Sequence, residues 1–129
     1  MTPFRIIGVQ HVSLPIAPGG QDRARRFYGQ LLGLREKPVP ETLPRHLVWY
    51  DVGPNEIHLL VEDNAADVNP QSRRHPCLAV DDVDALRASL DAAGVATEDE
   101  DFPLPGRRRF FARDPFDNLI EFVTFERSA

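Results

Sequence analysis

Apolar positions along this chain recur at two spacings. Ala24, Phe27, Tyr28, Leu31 and Leu32 fall at i, i+3, i+4, i+7 and i+8, and Val83, Leu86, Leu90 and Ala93 make a second stripe. Each stripe is one face of a helix. Gly33 and Gly94 follow as left-handed stops, and Asp81 or Asp82 can cap the second helix. Around the stripes apolar and polar residues alternate with period two, the pattern of strands with one face buried. The strands predicted are 8–16, 35–39, 46–52 and 56–62, then 73–80, 96–102, 107–113 and 118–125. Pro38, Pro40 and Pro103 interrupt the second and sixth.

The order strand, helix, three strands occurs twice, and the side chains repeat with it. His11 falls on His75 at an offset of 64. The segment from Asp51 to Leu59 falls on that from Asp114 to Phe122 at an offset of 63, with Asp on Asp, Asn55 on Asn118, Ile57 on Ile120, and His58 on Glu121. Two separate anchors on nearly one offset point to a duplicated unit. The expected fold is α+β, a mixed sheet built from two tandem βαβββ modules with the helices outside. The modules span 1–62 and 73–129, joined by a polar, proline-containing linker at 63–72.

Strand parity decides where the polar residues point. Val12, Leu14 and Ile16 should lie under the helices, leaving His11, Ser13 and Pro15 on the other face. By the same parity His58, His75 and Glu121 face away from the helices, beside small or apolar neighbours such as Ser13, Cys77, Ala79, Leu60 and Val123. That is a cavity floor with a few polar groups, which is how small-molecule sites are built. Imidazoles and a carboxylate suit a divalent ion such as Zn, Ni, Fe, Co or Mn. The chain has a single cysteine, Cys77, so neither a thiolate cage nor an intrachain disulfide is available. His11, His58, His75 and Glu121 are the expected ligands, converging about the axis relating the modules. Glu56 shares the face of His58 and is the alternative fourth ligand, while the repeat register selects His58. Glu121, between Ile120 and Phe122, needs a partner to offset burial, and a metal would supply one. His46, taken as the counterpart of Arg109, is either an ordinary strand residue or a substrate contact.

The chain has 129 residues and a formal net charge of −5, which argues against a nucleic-acid partner. Arg107, Arg108 and Arg109 form one basic cluster, read as a solvent-facing strand end or a grip for an anionic substrate. No apolar run approaches the roughly 20 residues needed to span a bilayer, and Met1-Thr2-Pro3-Phe4-Arg5 lacks the long apolar stretch expected of a secretory signal. A cytoplasmic setting is the expectation.

The spans Gly8 to Leu14, Ala24 to Leu34 (ARRFYGQLLGL) and Asp114 to Phe122 (DPFDNLIEF) resemble the glyoxalase, bleomycin-resistance and extradiol-dioxygenase superfamily, the vicinal oxygen chelate proteins. The resemblance covers nearly the whole chain. It implies a cupped, barrel-like sheet and a metal bound at the first and last strand of each module, here His11, His58, His75 and Glu121. It also implies a homodimer, in which some members exchange modules between chains. The activity implied first is a metal-dependent lyase or isomerase on a small substrate that chelates through vicinal oxygens. Glu121 would move the proton, and His46, Trp49, Arg109 and Phe111 (or Phe110) would contact the substrate. Three alternatives accompany it: an Fe(II) extradiol-type dioxygenase using His11, His75 and Glu121, a thiol transferase of the fosfomycin-resistance type, and a binding protein that sequesters a ligand without chemistry.

Overall fold

The computed structural model describes residues 3–44 and 46–126. Positions 1–2 and 127–129 of the expected modules, and Arg45, lie outside the described residues. The elements are β1 (His11–Ile16), α1 (Gln21–Ala24) continuing as a π-helical segment (Arg25–Leu31), β2 (Arg35–Lys37), β3 (Val48–Val52) and β4 (Asn55–Val61). They continue with α2 (Ala65–Val68), a 3₁₀ turn (Asn69–Gln71), β5 (Cys77–Ala79), α3 (Val83–Ala92), β6 (Thr97–Asp99), β7 (Arg107–Arg113) and β8 (Leu119–Phe125). Two four-stranded sheets result, ordered β1-β4-β3-β2 and β5-β8-β7-β6. In each, the first strand pairs parallel with the last and the other pairs are antiparallel. These are two βαβββ modules of like topology forming cupped sheets that do not close into a barrel. No helix among the described residues is long and apolar enough to cross a membrane.

The alternation in sequence becomes a division between faces. Leu14, Ile16, Val48, Tyr50, Ile57 and Leu59 are buried toward the first helix, and Phe110, Ala112, Ile120 and Phe122 toward α3. Asp82 caps α3 by accepting from the Ala85 amide at 3.1 Å. Gly33 and Gly94 take φ values of 72° and 78°, the left-handed conformation that ends a helix without Cβ strain.

Four expectations change. The first helix is α-helical only over its first turn; beyond it the Leu32 amide donates to the Phe27 carbonyl at 2.9 Å, an i to i−5 bond. The wider turn lets adjacent Phe27 and Tyr28 both enter the core. The first and fifth strands are shorter than predicted, because residues 3–10 and 73–76 run outside the ladders. The linker carries two short helical turns, anchored by buried Asn69, whose Nδ2 donates to the carbonyls of Pro15 and Phe116. Finally, Asp51 and Asp114 are not equivalent. Trp49 opposes His58 and Phe111 opposes Glu121, so β3 maps onto β7 at an offset of 62 and Asp51 matches Arg113. Between equivalent pairs, Arg113 opposite Leu119 and Asp51 opposite Glu56, the second module has one residue more, which absorbs the slip.

Asp114 instead organises that connection. Its Oδ1 accepts from the amides of Phe116 and Asn118 at 2.8 and 2.9 Å. Its Oδ2 accepts from Tyr28 Oη at 2.6 Å and Asn118 Nδ2 at 2.9 Å, and that same Nδ2 reaches the Pro15 carbonyl at 2.8 Å. The turn of the second module is thereby clasped to the helix and first strand of the first. Burial, then the nearby Asp114 charge, pushes the Tyr28 phenol well above its ordinary value. A raised folded-state pKa gives stability that is complete below the unfolded pKa of about 10 and is lost as pH rises past it. Tyr28→Phe should cost about 1–2 kcal/mol near neutrality and flatten the loss of stability above about pH 10. Urea unfolding of both proteins across that range checks this.

Candidate metal centre

The helix-free face of the first sheet carries three parallel rings. His58 stacks on Trp49 with centroids 3.9 Å apart and planes 4° apart, and His11 stacks on His58 at 3.9 Å and 18°. The ladder dictates this order, since His58 lies opposite Trp49 across β3–β4 and opposite Ser13 across β1–β4. His11 Nδ1 donates to Gln10 Oε1 at 2.6 Å, and His58 Nε2 donates to Glu56 Oε1 at 2.8 Å. The other oxygen of Glu56 receives Lys37 Nζ at 2.6 Å. The Lys37 bond first, and that of His58 second, lower the Glu56 carboxyl to about 2. Glu56 is thus committed to orienting His58.

The equivalent face of the second sheet holds His75, Cys77, Glu121, Arg109 and Phe111. His75 Nδ1 donates to the Arg73 carbonyl at 2.8 Å, and Nε2 stands 3.1 Å from Glu121 Oε1. Arg109 Nη1 reaches Glu121 Oε2 at 3.4 Å. Phe111 meets His75 edge-on at 5.3 Å. Burial first, and then Glu121, raise the Cys77 thiol to about 11, which keeps it protonated and a poor metal ligand at neutral pH. Phe110 belongs to the core, stacked on Phe122 at 5.2 Å.

In all three histidines one ring nitrogen faces an acceptor and donates to it, and in the neutral ring the other nitrogen carries the lone pair. This is the outer bonding that orients metal-ligating imidazoles. With Nδ1–H given to Arg73, a neutral His75 presents its Nε2 lone pair to a carboxylate oxygen. Two acceptors at 3.1 Å need a proton or a cation between them, and donors about 2.0–2.1 Å from one ion sit at such a separation.

The four expected ligands form two pairs, not one cluster. Among the described residues no group of three His, Cys, Asp or Glu side chains could hold an ion. The sheets meet along the free edges of β1 and β5: His11, Glu56 and Cys77 line a shared cavity of about 520 Å³, and Ser13 and His75 a second of about 350 Å³. Each pair brings together two groups that could act as ligands. Glu121 has the partner its burial calls for in His75 and Arg109. His46 lies in the turn before β3, where its carbonyl accepts from Gln21 at the start of α1. The counterpart of Arg109 is Leu47, by the same one-residue slip. Lys37 and Gln10 escaped notice in the sequence; parity alone would have placed Lys37 opposite Trp49 had Pro38 not obscured the short strand.

The chain belongs to the Glyoxalase/Bleomycin resistance protein/Dioxygenase superfamily, whose profile matches residues 8–122. A Bacillus anthracis protein assigned to the glyoxalase family is 36% identical, covers 97% of this chain and 100% of its own, and superposes with a TM-score of 0.87. An antibiotic-binding protein from Streptomyces sp. CB03234 is 27% identical over 95% of this chain and 99% of its own, with a TM-score of 0.70. Lactoylglutathione lyase from Agrobacterium tumefaciens shares the fold at 20% identity, 93% and 95% coverage, and a TM-score of 0.70. No curated protein matches the chain.

Replacing Lys37 by Met should return the Glu56 carboxyl toward its ordinary range, because the largest cause of its lowering is removed. A carboxyl-detected NMR titration of Glu56 in both proteins measures the rise.

Proposed function

We propose that this chain is a metal-dependent lyase or isomerase acting on a small substrate with two neighbouring oxygens. We further propose that its metal lies between two copies of the chain, held by His11 and His58 of one copy with the partner's His75 and the partner's Glu121. The observation that carries the reading is the 3.1 Å approach of His75 Nε2 to Glu121 Oε1, together with the stacked, hydrogen-bonded imidazole pair of His11 and His58 in the other module. Two donors on each face, and too few on either, is what a site shared between copies requires. Exposed apolar residues beside His11 support pairing: Ile6 is 84% exposed, Ile7 90% and Val9 65%.

A bound divalent ion would act as a Lewis acid on the substrate oxygens. Glu121 is the group suited to carry a proton, since its carboxylate has His75 on one oxygen and Arg109 on the other. Trp49 and Phe111 wall the two half-sites with aromatic surface and would exclude water from the apolar part of a substrate. A sequestering role is the second reading, favoured by the 27% identity to an antibiotic-binding protein over nearly both chains.

Protein purified without chelator should contain metal, and His75→Ala and Glu121→Ala should contain little; equal content in all three refutes the centre. A chelator should lower the melting temperature of wild type, since an ion at a hundred times its Kd stabilises the folded state by about 2.7 kcal/mol. Mixing chains that carry His11→Ala and His58→Ala with chains that carry Glu121→Ala tests the pairing. One intact centre per mixed dimer should reappear if sites form between copies, and none if they form within a chain. Ligand binding without metal would favour sequestration.

A further inference from the structure

The basic run on β7 is not one patch. Arg108 pairs with Asp84 at 2.7 Å, toward α3, and Arg107 lies over the Phe125 ring at 4.9 Å. Arg109 alone is drawn into the floor of the second sheet, with its side chain 13% exposed and its guanidinium carbon 5.8 Å from the centre of the Phe111 ring. Its bonding there is incomplete. Nη2 donates to the Phe102 carbonyl at 2.7 Å, Nη1 reaches Glu121 only at 3.4 Å, and Nε is buried with no acceptor. A guanidinium carries five N–H donors, and leaving one desolvated and unpaired costs free energy that native interiors usually avoid. Such an orphan beside a candidate site marks the place of an absent acceptor.

The ladder places it usefully. Arg109 opposes Val123, two residues along from Glu121, so the guanidinium lies one row from the carboxylate on the same face. The equivalent position of the first module is Leu47, so this charge has no counterpart in the other half-site. Glu121 turns Oε1 to His75 and Oε2 to Arg109, and the 3.4 Å contact with Nη1 holds the guanidinium only weakly.

We propose that Arg109 is the anion-binding residue of the site, and that the natural ligand is a small chelator bearing a terminal oxyanion of carboxylate or phosphate type. The inference rests on the metal-centre reading above and narrows its substrate class. An oxyanion meets the orphaned Nε, whose bidentate partner on the same edge of the guanidinium is Nη2, the group that also holds the Phe102 carbonyl.

The test uses the Co(II)-loaded protein and two probes, phosphonoformate, an anionic chelator, and acetohydroxamate, a chelator without a spare anionic group. Kd values come from the visible band of the ion and from calorimetry. In Arg109→Met the Kd for phosphonoformate should rise about ten- to a hundredfold while that for acetohydroxamate changes less than about twofold. Arg109→Lys should recover part of the loss, because charge remains but the fork does not. Equal losses for both probes would show that Arg109 acts only through Glu121, and no loss for either would show that it touches no ligand; both overturn the proposal. Cobalt content is measured on the same samples. A wild type that takes up no cobalt sinks the metal-centre reading instead, and Arg109 is then judged on binding of inorganic phosphate, where no difference between wild type and Arg109→Met overturns the anion site as well.

Discussion

The buried carboxylate of Asp114 fixes the two halves of this chain relative to each other. One oxygen closes its own turn through two backbone amides, and the other takes the Tyr28 hydroxyl from the first module's helix. A carboxylate in that position has lost its water, and burial raises its pKa, so every one of those donors is needed to hold it. The Phe116 ring beside it lies so close to Gly20 that a Cβ there would stand 2.4 Å from a ring carbon. The start of β8, and with it the position of Glu121, is set by this clasp.

The clasp also explains where sequence reading succeeded and slipped. Period-two alternation was enough to say that Leu14 and Ile16 go under the helix and His11 does not, because one-sided burial of a strand leaves that mark directly. Matching Asp51 to Asp114 was reasonable as letters and wrong as structure. The two residues share a side chain but not a task, and a one-residue difference in hairpin length is invisible until strands are paired. The helical stripe from Ala24 to Leu32 fits 3.6 residues per turn, and an i to i−5 bond is a backbone pairing that apolar spacing does not record.

What the repeat could not convey was the placement of one module against the other. Equivalence says that His58 and Glu121 occupy like positions, not that they meet. The polar partners were equally hidden. Glu56 and Lys37 form a chain of bonds behind His58, and Arg109 a contact behind Glu121, through pairings across strands that no local pattern records. These outer bonds give the imidazoles their tautomers, and with them their chemistry.

The two half-sites are unlike: one offers a pair of imidazoles, the other an imidazole and a carboxylate. Were two copies to join like with like, one end of the assembly would gather four imidazoles and the other two mutually repelling carboxylates, leaving two ions in very different fields. Joining unlike with unlike gives two identical centres of equal charge, and only a twofold axis does that with a single kind of chain. In any such pairing the divergence of the duplicated modules would act as a polarity rule, written into the difference between one histidine and one glutamate.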